Sequence, residues 1–222
     1  MACTLVPINM DDPSEYEELL QQRVICGWNN TPEALAQWHE KQRAGLKSFF
    51  WITTTKSTST TSAESNPPSG SEPNSETSES TPILAGHISL DAYTDPPDSS
   101  VANAEKTRLT IRTFFILPEH RSSGLGRTSM ALIESLAGSE PYGSSKCEFT
   151  TLDTMSKEHY YDPILGPEVR KVMPICNQEW YERQGYVVYK VEPRYEDTIV
   201  LENGEVREVI YNAACMRKPV QR

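Results

Sequence analysis

Cysteine is sparse in this chain and badly spaced for a structural role. Cys3, Cys26, Cys147, Cys176 and Cys215 are odd in number, lie far apart and form no CxxC pair. That excludes a compact disulfide framework and a standard zinc site, so no metal is expected. Reduced thiols in a cytoplasmic or nuclear setting are the simplest account. Basic clusters are missing too. The chain has 21 Lys and Arg against 31 Asp and Glu, a formal net charge of −10. Nucleic-acid affinity rests on clustered Lys and Arg, so no nucleic-acid partner is expected. No uninterrupted apolar run is long enough to cross a bilayer, which argues against a membrane partner. The opening MACTLVPINMDDPSEYEE has no basic stretch followed by an apolar one, so no signal peptide is expected.

Hydrophobic residues are also few, at 37% of 222. That length suits one α/β domain, or one domain with an insertion, and part of the chain should lie outside its core. One segment accounts for the deficit. Lys56–Pro82 reads KSTSTTSAESNPPSGSEPNSETSESTP. With almost no apolar side chains it cannot offset the entropy of ordering, and it is expected to be a disordered insertion (56–82) between two strands. A single domain is therefore expected over 1–222.

The remaining sequence alternates strand and helix signals. Thr4–Ile8 suits a short strand. Asp12-Pro13-Ser14-Glu15 starts a helix, with Tyr16, Leu19, Leu20 and Val24 at helical spacing along its inner face. Thr31-Pro32-Glu33 starts another. Strands are expected at Ser48–Thr55, Ile83–Tyr93 and Arg108–Leu117, the last ended by Pro118. Gly124–Ala137 is the clearest helix, with Leu125, Leu132, Ile133 and Leu136 on one face. A strand at Lys146–Leu152, an irregular stretch at Ser156–Met173 and a helix at Pro174–Gln184 follow. Tyr186–Val191 and Val206–Met216 flank an Asn203-Gly204 turn, a strong hairpin signal. This order predicts a mixed α/β sheet of about seven strands flanked by about four helices.

The most informative segment is FFILPEHRSSGLGRT, Phe114–Thr128. A strand ends at Pro118, and Arg121-Ser122-Ser123-Gly124-Leu125-Gly126-Arg127-Thr128 opens a helix. Free backbone N–H groups and the positive end of the helix dipole make such a start an anion site. Gly124 and Gly126 lack the Cβ atoms that would keep a phosphate off the backbone, while Arg121 and Arg127 add charge. These features predict a pyrophosphate cradle. Ser129 stands where a dinucleotide fingerprint has its third Gly, and no Walker GK[ST] ending follows.

Arg-x-x-Gly-x-Gly after a strand ending in Pro resembles the coenzyme A motif of the GNAT superfamily of N-acetyltransferases. Trp180-Tyr181-Glu182-Arg183-Gln184-Gly185-Tyr186 is similar to that family's later helix, usually written Y-E-x-x-G-F or Y. The resemblance covers nearly the whole chain in its order of elements. It implies acetyl-CoA as cosubstrate, with phosphates on Arg121–Thr128 and pantetheine bonded to the backbone at Ile116 and Leu117. It also implies direct attack by a neutral primary amine, an oxyanion N–H near Phe115–Leu117, and Tyr181 as the acid that protonates the thiolate. Many relatives carry a Glu base about six residues before the Ile116 position; Thr110 stands there in this chain. Asp153 is the substitute expected beside the splayed strands, with Glu148 and His87 behind it. Ser156–Met173 is expected either to wall the acceptor pocket or to be a solvated loop.

The expected acceptor is a small cationic amine, to which the acidic hairpin residues Glu192, Glu196, Asp197, Glu202, Glu205 and Glu208 offer charge. A lysine or N-terminal protein acceptor is the alternative. Ser122 after Arg121 disfavours it, because N-terminal enzymes of the superfamily often carry a second Arg there. A non-catalytic CoA-binding module is the third possibility.

Overall fold

Two capped helices and a seven-stranded sheet set the frame. The computed structural model describes residues 2–55, 82–200 and 204–221. Strand β1 (Cys3–Pro7) leads to α1 (Pro13–Cys26), whose cap Asp12 accepts hydrogen bonds from the Ser14 and Glu15 N–H groups. Helix α2 (Pro32–Arg43) is capped in the same way by Thr31. Then come β2 (Lys47–Thr54), β3 (Ile83–Asp91), β4 (Arg108–Ile116), a single 3-10 turn at Pro118–His120, and α3 (Leu125–Ala137). The chain continues through β5 (Phe149–Met155), α4 (Lys157–Tyr161), α5 (Gly166–Val172), α6 (Asn177–Glu182), β6 (Val187–Val200) and β7 (Val206–Pro219).

The sheet order is β1-β2-β3-β4-β5-β7-β6. Neighbours are antiparallel except β4 and β5, which run parallel. Alternation along the central strands sends two sets of side chains to opposite faces. Phe50, Ile52, Ile88 and Leu90 pack with Met130, Ile133 and Ala137 of α3. Phe49 and Trp51 pack on the other face with Leu19 of α1 and Leu35 of α2. A smaller cluster of Val169, Val209 and Tyr211 seats α5 on the far end of the last hairpin.

Two irregularities position the site. The β4–β5 pairing covers only Arg108, Leu109 and Thr110 against Phe149, Thr150 and Thr151, after which the strands part. On the other edge of β4 the register jumps: His87 pairs with Phe115 but Ser89 pairs with Arg112. Two residues, Thr113 and Phe114, thus stand opposite one. Thr113 has φ +48°, a bulge that turns the strand locally.

Several expectations need correcting. Val24 is not on the inner face of α1: it is 57% exposed while Arg23 is 3% exposed. The strand expected at Lys146–Leu152 begins three residues later, because Cys147 and Glu148 bond to turn residues Ser144 and Thr107 first. The stretch expected to be irregular, Ser156–Met173, contains α4 and α5, so the described residues hold six helices rather than about four. The last two strands run longer than expected and pair through Val200↔Val206. The insertion expected at 56–82 lies outside the described residues, apart from Pro82. Among the described residues, no helix is long and apolar enough to cross a membrane.

Candidate active site

The segment after β4 opens α3 without a side-chain cap. Ser122 has φ +60° and Gly124 φ +86°, and Ser123 Oγ donates to the His120 carbonyl at 2.5 Å. The first helical acceptor is the Gly124 carbonyl, which takes the Thr128 N–H at 3.2 Å. Among the described residues, no hydrogen bond engages the backbone N–H groups from Ser122 through Arg127. Those donors lie at the positive end of the α3 dipole, and no side chain caps it. Gly124 tolerates the left-handed backbone that the turn requires.

Gly126 also lies at a close approach between two helices. A Cβ there would sit 3.3 Å from the Trp180 ring and 3.7 Å from the Phe114 ring. Its bareness lets α3 approach α6. Arg121 is held by two local contacts. Its Nε donates to the Ile116 carbonyl at 3.0 Å and its guanidinium lies 5.6 Å from the Phe115 ring centre. Arg127 faces a separate cavity of about 510 Å³, shared with Arg183 and a Lys218–Glu134 pair.

On β4, the Leu117 N–H is engaged: it donates to the Ala85 carbonyl at 2.9 Å. Leu117 therefore faces β3 and does not offer this donor to a ligand in the gap. By strand alternation, Ile116 presents its backbone to the gap. Phe115 is paired with His87. The bulge residues Thr113 and Phe114, rather than Phe115–Leu117, line the main cavity.

That cavity, of about 550 Å³, opens where β4 and β5 part. Its walls come from the C-terminal end of α1, from α2, and from β2 through β6, with Tyr181 reaching in from α6. Tyr181 packs edge-on to Trp180 at 5.0 Å and to Tyr186 at 5.9 Å. Among the described residues, its hydroxyl has no hydrogen-bond partner. Burial, reinforced by the Asp153 carboxylate, pushes its pKa up, so it is a proton donor at neutral pH.

The three carboxylate and imidazole candidates have separate fates. Asp153 lies in the cavity, but its oxygens are occupied. Oδ1 is 3.3 Å from both Arg112 and Arg194, and Oδ2 accepts the Tyr195 hydroxyl at 2.6 Å. His87 is fully buried beneath α1: Nδ1–H donates to Gln22 Oε1 at 3.0 Å and Nε2 accepts from Arg23 at 3.3 Å. Burial, with Arg23 and Lys47 nearby, lowers its pKa well below the usual 6.5, so it stays neutral. Glu148 sits outside the cavity, 54% exposed and 3.7 Å from Arg108.

Two functional candidates escaped the sequence. Asp91 pairs with Lys47 at 2.7 Å, both side chains 1% exposed, and both line the cavity. Asp91 Oδ1 is buried without a hydrogen-bond partner. Arg23 lines the same cavity. Signals existed for both: His87, Ser89 and Asp91 alternate as polar residues in an apolar strand, and Arg23 follows Leu19 at helical spacing.

The β4–β5 sheet parts beside an uncapped helix start, and the Tyr181 side chain lines the cavity at that opening. The chain has the fold of the GNAT acetyltransferases. It superposes on Ard1 from Thermoplasma volcanium with a TM-score of 0.54 at 14% identity, covering 100% of both chains. Arabidopsis thaliana NAA60 in complex with acetyl-CoA gives 0.52 at 15%, covering 99% of each. An aminoglycoside 6'-N-acetyltransferase complexed with coenzyme A gives 0.53 at 14%, covering 100% of this chain and 98% of that one. Neither a protein-family model nor a curated protein matches the sequence.

Proposed function

We propose that the chain is an acetyl-CoA-dependent N-acetyltransferase that acetylates a primary amine in a ternary complex, within one domain spanning 1–222. One observation carries this reading. The unengaged N–H groups of Ser122–Arg127 and the unpartnered Tyr181 hydroxyl sit at the parted strands of a GNAT fold. The loop fits a pyrophosphate because its N–H donors are unengaged and no side chain caps the helix start. Acetyl-CoA, when bound, supplies the activated acyl group.

The residues then divide the work. Ser122–Arg127 hold the diphosphate, with Thr128 closing the helix behind them, and the Ile116 backbone meets the pantetheine arm. Tyr181 protonates the departing thiolate; such acids contribute roughly 10²–10⁴-fold to rate. An alkylammonium has a pKa of about 10, so the amine must lose a proton before it attacks. Of the two cavity carboxylates on the sheet, Asp91 has an oxygen free to receive that proton. Asp153 is a positioning residue that holds Arg112, Arg194 and Tyr195 together.

The test is thiol release from acetyl-CoA against polyamines, amino acids, arylamines and short peptides. Turnover with at least one small amine, lost in Tyr181→Phe, is expected. Turnover only with peptides would assign a protein acceptor instead. Acetyl-CoA binding without turnover on any acceptor would make the chain a CoA-binding module.

A further inference from the structure

The cavity carries an uncompensated cationic group. Five cationic side chains line it: Arg23, Lys41, Lys47, Arg112 and Arg194. Asp91 neutralises Lys47, Asp153 pairs with both Arg112 and Arg194, Glu192 also pairs with Arg194, and Asp95 lines the cavity as a third carboxylate without pairing to any of the five. Among the described residues, Arg23 and Lys41 have no carboxylate within salt-bridge distance. Lys41 rests over the Tyr93 ring at 5.1 Å.

Arg23 is the sharper case. It is 3% exposed, yet its guanidinium has no carboxylate partner: around it are His87, the Trp28 carbonyl, the Cys26 thiol, the Trp38 ring at 5.4 Å and, as a like charge, Lys47. Its Nε is buried with no hydrogen-bond partner. A guanidinium has five N–H donors, and its partners here, His87, the Trp28 carbonyl and the Cys26 thiol, do not engage them all. Withdrawing such a charge from water is costly unless an anion completes the site. The planar fork matches an oxyanion, carboxylate or phosphate. A cavity of this size holds a small molecule.

We propose that the acceptor amine also carries an oxyanion, a carboxylate or phosphate, which docks on Arg23 inside this cavity. The acceptor is then amino-acid-like, not the cationic amine that the acidic composition suggests. This inference rests on the acetyltransferase reading for the acceptor's role, but its binding test does not need turnover.

The probes are the standard L-amino acids, each beside its own carboxamide, together with O-phosphoethanolamine and spermidine. Binding is measured by calorimetry on the full chain saturated with CoA, and turnover is followed separately with acetyl-CoA. At least one oxyanionic amine is expected to bind about tenfold or more tighter than its uncharged counterpart, a difference of about 1.4 kcal/mol. Arg23→Gln should erase that ratio, and Arg23→Lys should retain part of it; loss of fold would weaken both partners alike. The amino-acid and phosphoethanolamine arms tell carboxylate from phosphate. Carboxamides or spermidine binding as tightly as every oxyanionic probe overturns the inference, even if acetyl transfer is observed. Oxyanion-selective binding through Arg23 without any acetyl transfer supports this site and overturns the acetyltransferase reading.

Discussion

The loop at Ser122–Arg127 and the cavity beside it are built by opposite means. The loop is one continuous segment whose chemistry comes from backbone N–H groups left free by a helix start. The cavity is assembled from side chains of α1, α2, α6 and most of the sheet, converging only after folding. Backbone sites leave local marks in sequence: a strand, a proline, glycines and a helix. Side-chain sites spread over the chain leave almost none.

Substitutions can break or sharpen this contrast. The largest effect is expected at the contact between the two regions. Gly126→Leu drives a side chain into Trp180 and should weaken acetyl-CoA binding by about 100-fold or more, as overpacking costs of a few kcal/mol imply. Calorimetry reads it, and retained affinity would mean that α3 and α6 need not touch. Next, Tyr181→Phe should lower kcat by about 100-fold, as loss of a general acid does, while the acetyl-CoA dissociation constant changes little. An unchanged kcat would remove Tyr181 from the chemistry.

A stability effect comes third and belongs to the cavity. Asp91→Asn leaves the Lys47 ammonium buried without its counter-ion and should cost about 3 kcal/mol in urea unfolding. Replacing both, as Lys47→Met with Asp91→Leu, should recover much of that loss. A single substitution with no cost would show that water reaches the pair.

The pH effect is smaller. Burial lowers the His87 pKa, so below about pH 6.5 the unfolded chain binds a proton that the folded chain refuses. The stabilisation is complete above that pH. Below it, stability should fall by about 1.4 kcal/mol per pH unit from this group until the folded pKa is reached. Urea titrations of wild type and His87→Gln between pH 8 and 5 should differ in that slope. Parallel curves would place the acid sensitivity elsewhere. Smallest of all, Glu148→Gln should leave kcat/KM within about twofold, since Glu148 forms only an exposed pair with Arg108. A larger loss would bring Glu148 into the chemistry after all.

The same contrast explains what could be anticipated. The sheet class, the caps Asp12 and Thr31, the loop and Tyr181 were all visible as local patterns. Arg23 was hidden because Val24, its apolar neighbour, fits the helical stripe equally well on paper. The packing decides otherwise: Arg23 stacks on Trp38 and bonds His87, both distant in sequence. Asp153 was placed correctly beside the parted strands, yet no spacing rule could show that Arg112, Arg194 and Tyr195 surround it. Leu117 was assigned to the gap from its position after β4. The Ala85 hydrogen bond that turns its N–H away is a tertiary fact. Gly126 was noticed for close approach to a phosphate; the approach of the Trp180 ring to the same residue is a tertiary fact that the sequence did not show.

The central claim is that a diphosphate sits on the backbone between Ser122 and Arg127. Backbone amide NMR during an acetyl-CoA titration tests it most directly. Saturable shifts are expected to concentrate at the amides of Ser122 through Arg127, at the sub-millimolar affinity expected of a cosubstrate. Saturable binding that leaves those amides unmoved, or no binding at millimolar acetyl-CoA, would contradict it.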